Sequence, residues 1–191
     1  MINGFTLHDT TTAPTASTEI LDSVQKSWGL VPNLHRVLAE SPAALEAYAT
    51  LWGIAEKTGF TPQERNIVYI AIIYENECTY CMAGHTNLSR VAKVEPEAIS
   101  AVREGRPIAD PKLEALRQFA AKVTRNRGVV SEADVSAFKA AGYDNRAVLD
   151  VLVLAATKLI SNYTNHLAQT TLDPFMKGAE WSAPGKLKPA A

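Results

Sequence analysis

Two cysteines and a histidine form the one constellation in this sequence with evident chemistry. Cys78, Cys81 and His85 stand in the pattern C-x-x-C-x-x-x-H. At the start of a helix, unpaired amides and the helix dipole stabilise a thiolate. Cys81 and His85 are four residues apart, so their side chains share one helix face. The spacing predicts that His85 accepts the Cys81 proton or stabilises its thiolate, with Cys78 as the resolving thiol.

The motif alone leaves other interpretations open. Free cysteines are among the most buried residue types, so both could be core filler, and His85 could be a hydrogen-bonded core histidine. Cys78, Cys81 and His85 could also be zinc ligands, with His166 as a fourth. A single C-x-x-C pair does not decide between redox chemistry, metal binding and packing.

Composition excludes several classes of protein. The chain has 191 residues, with 19 Lys plus Arg against 20 Asp plus Glu, and this balance offers no electrostatic footprint for nucleic acid or an anionic membrane. The longest apolar run, 67–74, is far shorter than the ~20 residues of a spanning helix. The glycine spacing rules out the dinucleotide and phosphate-loop motifs. No export signal is evident, so we expect a cytoplasmic protein with reduced thiols.

The pattern of apolar residues predicts an all-α fold. Residues 1–17 are expected to form an extended lead-in, 18–176 a single helical domain and 177–191 a C-terminal tail that frays from Gly185. Capping signals and proline positions mark the helix starts. The predicted helices run from 18 to 28, 41 to 58, 61 to 76, 78 to 93 and 144 to 171, with short ones after 32 and 95, a longer one from 110 and another from 131.

An internal repeat is visible at a shift of 81 residues. Arg65 then meets Arg146, His85 meets His166 and Cys81 meets Asn162, while the apolar residues between them also coincide. Two similar helical units about a pseudo-two-fold axis would produce this pattern. A chance match between two amphipathic helices is the alternative.

The segment 61–85, with its capping box, apolar helix and C-x-x-C-x-x-x-H motif, resembles the carboxymuconolactone decarboxylase superfamily. Within it, the motif is similar to the alkylhydroperoxidase D-like branch, since lyase members generally lack the cysteine pair. Segments 29–34 and 161–166 extend the resemblance over about residues 28–175. The resemblance implies an all-helical fold with an internal repeat, a homo-oligomer and thiol-dependent reduction of hydroperoxides.

Residue roles follow from the same resemblance. Cys81 is similar to the peroxide-attacking thiol, Cys78 to the resolving thiol and His85 to the histidine of the proton relay. The family glutamate, twelve residues before the first cysteine, is replaced by Asn66. Further candidates for the pocket or relay are Asn66, Tyr80, Asn162 and His166.

The leading hypothesis is therefore a thiol peroxidase that needs no metal or other cofactor. A hydroperoxide oxidises the cysteine pair and an external dithiol or protein thiol reduces it. One alternative is a lyase in which His85 or His166 acts as acid or base on a carboxylated ring, although no arginine cluster is evident to bind such a ring. The other is a non-enzymatic helical module stabilised by zinc.

Overall fold

The fold is described by a computed structural model over residues 3–185. Within that range the repetitive secondary structure is entirely helical, so the predicted all-α class is confirmed. The helices are α1 (Thr15–Trp28), α2 (Asn33–Leu38), α3 (Pro42–Ala55), α4 (Pro62–Glu75), α5 (Thr79–Val91), α6 (Pro96–Arg103), α7 (Pro111–Arg125), α8 (Glu132–Ala140), α9 (Asn145–Ala168) and a 3₁₀ turn (Pro174–Met176).

Local capping chemistry sets most of the helix boundaries. Thr61 and Glu64 form the predicted capping box at the start of α4, and Ser41 caps α3. Helix α1 begins at Thr15, three residues earlier than predicted, directly after Pro14. Helix α9 ends at Ala168, before the predicted end at 171, because Gln169 adopts a left-handed conformation with φ 48°.

The helices pack in the reciprocal way that a two-fold repeat requires. Helix α3 of the first unit lies against α9 of the second, and α7 of the second lies against α4 of the first. The two units differ at one point. Glu77, with φ 52°, separates α4 from α5, whereas α9 runs straight through the equivalent residue, Lys158. A single 24-residue helix thus replaces a helix pair.

The chain after α9 returns across the helices. Asp173 accepts hydrogen bonds from the backbone N–H of Asn33, at the start of α2. Arg103 of α6 donates to the carbonyls of Ala179 and Glu180, and the Trp181 indole donates to the Arg103 carbonyl. The described part of the predicted tail is therefore packed on α6. The predicted fraying of the end lies, apart from Gly185, outside the described residues.

Helix α9 combines length with apolar composition. Among the described helices it alone is long and apolar enough to cross a membrane by those two measures. Core helices of soluble proteins meet the same measures, and α9 contacts α2, α3, α4, α5 and α7 along its length.

Candidate active site

The cysteine pair lies at the turn that joins α4 to α5. Cys78 is the N-cap residue of α5, and its Sγ accepts the backbone N–H of Cys81 at 3.3 Å. Cys81 is the third residue of the helix, where the dipole favours negative charge. The left-handed backbone of Glu77 makes the sharp turn that brings the motif inward. Both cysteines are free thiols, and both are buried.

Helix α9 supplies the polar partners of the motif. The Asn165 carboxamide donates a hydrogen bond to the Cys81 sulfur at 3.1 Å. Seven residues, or about two helical turns, earlier, the Lys158 ammonium lies 2.8 Å from Nε2 of His85 and is only 1% exposed. The inward face of α9 therefore carries a buried positive charge toward the start of α5.

These contacts shift the pKa values of the two thiols in opposite directions. Burial alone would raise the pKa of Cys81, but the hydrogen bond from the Cys78 thiol, the charge of Lys158 and the carboxamides of Asn165 and Asn162 together lower that pKa to about 7. Burial and the bond to Cys81 raise the pKa of Cys78 well above its usual value. Cys81 is thus the thiol that ionises more readily, and the Cys78 thiol donates a hydrogen bond to it.

His85 takes part through Lys158. Burial, together with the nearby Lys158 charge, holds the pKa of His85 well below its usual value, so the imidazole is neutral and its Nε2 accepts from the ammonium. Burial lowers the pKa of Lys158, while the two cysteines oppose that shift. Both roles considered for His85, accepting the Cys81 proton and stabilising the thiolate as imidazolium, require a protonated ring and are therefore disfavoured by this lowered pKa.

A cavity of about 400 Å³ opens beside Cys81. Its walls are mainly aromatic and aliphatic. Gly84, within the motif, allows Met176 to pack closely against α5, because a Cβ at this position would lie only 3.0 Å from the Met176 Cε. The lining residues are Trp28, Leu30, Pro32, Leu34, His35, Tyr48, Trp52, Tyr80, Cys81, Gly84, His85, Leu88, Lys158, Phe175 and Met176.

Two of the four further candidate residues lie at the site. Asn162 is fully buried close to Cys81. Tyr80 lines the cavity, and its hydroxyl donates to Asp173 at 2.5 Å and accepts from the Leu34 amide at 3.1 Å.

The other two candidates lie elsewhere. The Asn66 carboxamide donates to the Pro62 carbonyl of its own helix at 2.9 Å. His166 is exposed, and its ring nitrogen donates to the Asn76 carbonyl at 2.7 Å. Neither residue lines the cavity.

Sequence reasoning missed Lys158, which supplies the charge of the site. A signal for it existed, because it is the one charged residue between Asp150 and the end of the apolar helix α9. In the repeat alignment it stands opposite Glu77, at the break between α4 and α5. His35, in the cavity wall, and Asp173, which holds Tyr80, were missed as well.

The two alternative functions find little support in this arrangement. Within residues 3–185, no three His, Cys, Asp or Glu side chains are placed to hold a metal ion. The His166 side chain is exposed and bonds to the Asn76 carbonyl, whereas both cysteines are buried. The cavity lining contains no arginine for a carboxylated ring, and its one cation, Lys158, faces the thiolate.

Comparison with known proteins confirms the predicted resemblance. The carboxymuconolactone decarboxylase family model matches residues 42–122, which include the complete C-x-x-C-x-x-x-H motif. Proteins of this family are generally enzymes. No curated protein matches the sequence.

Solved structures define the fold of the chain as a whole. The alkylhydroperoxidase AhpD core of a peroxidase-related protein from Ralstonia eutropha JMP134 matches with a TM-score of 0.79 and 23% identity, over 89% of this chain and 92% of that one. A peroxidase-related protein from Silicibacter sp. TM1040 matches with a TM-score of 0.76 and 20% identity, over 92% of this chain and 95% of that one.

A third structure with this fold is that of a debrominase. It is a Cys-to-Ala variant of the debrominase Bmp8 with 2,3,4-tribromopyrrole, which matches with a TM-score of 0.76 and 13% identity, over 92% and 95% of the two chains. At these identities the likeness extends to the fold. The chain therefore has the AhpD-core fold, as predicted, and the segment 42–122 matches the carboxymuconolactone decarboxylase family.

Removing the Lys158 charge tests the electrostatics of the site. In Lys158→Met, the pKa of Cys81 should rise from about 7 toward the ordinary thiol value of about 8.5, because burial is no longer offset by a cation. The measurement is the pH dependence of Cys81 alkylation, read by mass spectrometry.

Asn66→Ala is the matched control, since its carboxamide bonds only within α4. Asn165→Ala should give a smaller rise and leaves the cation in place. An unchanged Cys81 profile in a folded Lys158→Met variant would show that the charge does not act on this sulfur.

Proposed function

We propose that this protein is a thiol-dependent peroxidase that reduces apolar organic hydroperoxides with the Cys78–Cys81 pair. The observation that carries the proposal is the environment of Cys81. Its sulfur borders the cavity, accepts a hydrogen bond from Asn165 and has a pKa of about 7, while the Cys78 thiol lies within hydrogen-bonding reach.

The chemistry proceeds in two balanced steps. The Cys81 thiolate attacks the terminal oxygen of the hydroperoxide, so that an S–O bond forms, the O–O bond breaks and an alkoxide leaves. Cys78 then attacks the sulfenic acid, giving a disulfide and water. An external dithiol or protein thiol, itself oxidised to a disulfide, restores both thiols by exchange.

Lys158 is the proton donor in this scheme. It lines the cavity beside Cys81, and the alkoxide that leaves needs a proton. His85 holds the ammonium in place through the 2.8 Å contact, so it acts as a positioning residue. This assignment also accounts for the absence of the family glutamate. Because the Asn66 carboxamide donates to the Pro62 carbonyl of its own helix, we assign the proton donor to Lys158 of α9 instead.

The cavity favours an organic substrate over hydrogen peroxide. Burying apolar area contributes roughly 25 cal/mol per Å², and hydrogen peroxide has no such area to bury. Trp28, Tyr48, Trp52 and Phe175 provide aromatic walls. A substrate with a phenyl ring attached near the peroxide fits both the walls and the position of the thiolate. A reducing, cytoplasmic location belongs to the same proposal.

Reductive dehalogenation is a second candidate, favoured by the aromatic walls directly beside the thiolate and by the shared fold with a debrominase. The Cys81 sulfur would take bromine from the ring, the ring carbon would take a proton, and Cys78 would displace bromide to form the disulfide. Bromide release from 2,3,4-tribromopyrrole by the reduced protein, absent in Cys81→Ser, would establish this activity. No release excludes this reaction for that substrate.

Single-turnover oxidation tests the roles of the two cysteines. With cumene hydroperoxide, Cys81→Ser should lose peroxide consumption because the attacking thiolate is gone. Cys78→Ser should consume one equivalent and stop at a sulfenic acid, detected by dimedone labelling and mass spectrometry. Peroxide consumption by both variants at the parental rate would refute the scheme.

Substrate size gives a separate test of the cavity. The value of kcat/KM should be higher for cumene hydroperoxide than for hydrogen peroxide, because only the former buries a ring. Leu88→Asn places a carboxamide in the wall and should lower kcat/KM for cumene hydroperoxide at least tenfold (about 1.4 kcal/mol) while leaving hydrogen peroxide unaffected.

Leu172→Asn is the control, because Leu172 is 39% exposed and does not line the cavity. If both peroxides responded equally to Leu88→Asn, the cavity would not be the binding site.

A further inference from the structure

Two buried polar side chains in the cavity wall take no part in the chemistry proposed above. They are Tyr48 of α3 and His35 of α2, which both line the cavity and are 3% and 4% exposed. Their rings contact one another edge to face, with centroids 5.3 Å apart. The cavity therefore has a second pair of polar groups, in addition to those around Cys81.

Neither side chain has a hydrogen-bonding partner among residues 3–185. Nδ1 of His35 is completely covered by the protein, whereas Nε2 of His35 and the Tyr48 hydroxyl are not. His35 also borders the groove between α1 and α3, but Tyr48 does not, so the Tyr48 hydroxyl opens into the cavity. Buried polar groups are normally hydrogen-bonded, and two open groups on one cavity wall indicate that a ligand completes them.

Both groups are uncharged donors at neutral pH. Burial, with a smaller contribution from the nearby Cys81, raises the pKa of Tyr48 well above its usual value, so the phenol keeps its proton. Burial and the Lys158 charge lower the pKa of His35 to about 4, so its ring is neutral. The single proton of that ring belongs on Nε2, because a proton on the covered Nδ1 would have no acceptor. The wall thus presents an O–H and an N–H.

The chain of ring contacts separates this pair from the reacting end of the cavity. Tyr48 lies 6.2 Å from Trp52, and Trp52 lies 6.0 Å from His85, measured between ring centroids. Trp52 therefore stands between the pair and the contact of His85 with Lys158. The separation is short, because the Lys158 charge still contributes to the lowered pKa of His35. One small molecule can reach both ends of a cavity of about 400 Å³.

We infer that Tyr48 and His35 form a subsite for an uncharged acceptor oxygen, a carbonyl or a hydroxyl, on the organic part of the substrate. The lone pairs of such an oxygen accept from both donors. The inference rests on the proposed function for the reaction, in which the peroxide end of the substrate lies at Cys81. The substrate class that it names is an apolar hydroperoxide with a second oxygen function.

The chemistry of the subsite favours a neutral oxygen over a carboxylate. Neither donor is charged, and the cation of the cavity, Lys158, already acts on Cys81. An ionised Cys81 repels a second anion in the same cavity, where the low dielectric strengthens the repulsion. A ligand without an acceptor oxygen leaves both donors unpaired, so the pair also selects against plain hydrocarbons.

Binding of two ligands of the same shape tests the subsite without any peroxide. Acetophenone and α-methylstyrene differ only in a C=O that replaces a C=CH₂. Chemical-shift titration of the tryptophan indole N–H signals gives the dissociation constants, since Trp28 and Trp52 line the cavity. Tyr48→Phe should raise the ratio of the acetophenone Kd to the α-methylstyrene Kd about fivefold, because it removes one donor. His35→Phe should raise that ratio in the same direction.

Tyr163→Phe is the matched control, because it removes the same oxygen from a side chain that is 52% exposed and does not line the cavity. It should leave the ratio unchanged. Tyr48→Phe should also keep the thermal midpoint of unfolding, since its hydroxyl has no partner to lose. An unchanged ratio in Tyr48→Phe or His35→Phe, or a lower midpoint in Tyr48→Phe, would overturn the inference. Tighter binding of benzoate than of acetophenone would overturn the preference for an uncharged oxygen.

Turnover tests the substrate class. The keto hydroperoxide 2-hydroperoxy-2-methyl-1-phenylpropan-1-one carries a carbonyl that cumene hydroperoxide lacks. In Tyr48→Phe, the kcat/KM of the keto hydroperoxide relative to that of cumene hydroperoxide should fall about fivefold, mainly through KM, because the carbonyl is bound before the O–O bond breaks. A constant ratio would overturn the assignment of the subsite to the substrate. If neither peroxide is consumed, the proposed function fails, and the ratio of the two Kd values still decides the subsite.

Discussion

The buried charge of Lys158 is the interaction on which the site depends. Two ionised groups inside a protein are costly to desolvate, and they are retained only where each offsets the other and hydrogen bonds satisfy the remainder. Here the Cys81 thiolate has Lys158, Asn165 and Asn162 around it, and Lys158 has His85. The two charges are therefore interdependent, since either one alone would be destabilised by the apolar core around it.

The internal repeat explains how this charge reaches the cysteines. In the first unit the chain turns at Glu77 and starts a new helix, which exposes free amides to the sulfurs. In the second unit the equivalent position is Lys158, and the helix continues. The first unit thus presents a helix end to the thiols, and the second presents a continuous helix with a cation. The site is built from the difference between the two copies.

Much of the fold was accessible from the sequence because its signals are local. Ser41, Thr61 and the capping box with Glu64 fix helix starts within a few residues of the chain, so propensity and spacing were sufficient. The C-x-x-C motif is local in the same sense. The end of α9 was misplaced because Gln169, a non-glycine residue, adopts the left-handed conformation that usually indicates glycine.

The electrostatic part of the site could not be predicted from local sequence signals. Lys158 lies 73 residues from its partner His85, and its burial follows from packing of α9 against α3 and α4. A lysine within an apolar helix is more often placed at the surface, where its amine reaches water. Asn66 shows the converse. Family resemblance marked it as a relay position, but its carboxamide bonds to its own helix.

Asp173, in the segment after α9, helps to shape the cavity beside Cys81. Its carboxylate joins the first turn of α2 to the phenol of Tyr80, between the two cysteines, and burial raises its pKa above the usual value. Phe175 and Met176 follow at once and form one wall of the cavity. A chain that ended with α9 would keep the cysteines, Lys158 and Asn165 but would lack this apolar wall beside the Cys81 sulfur.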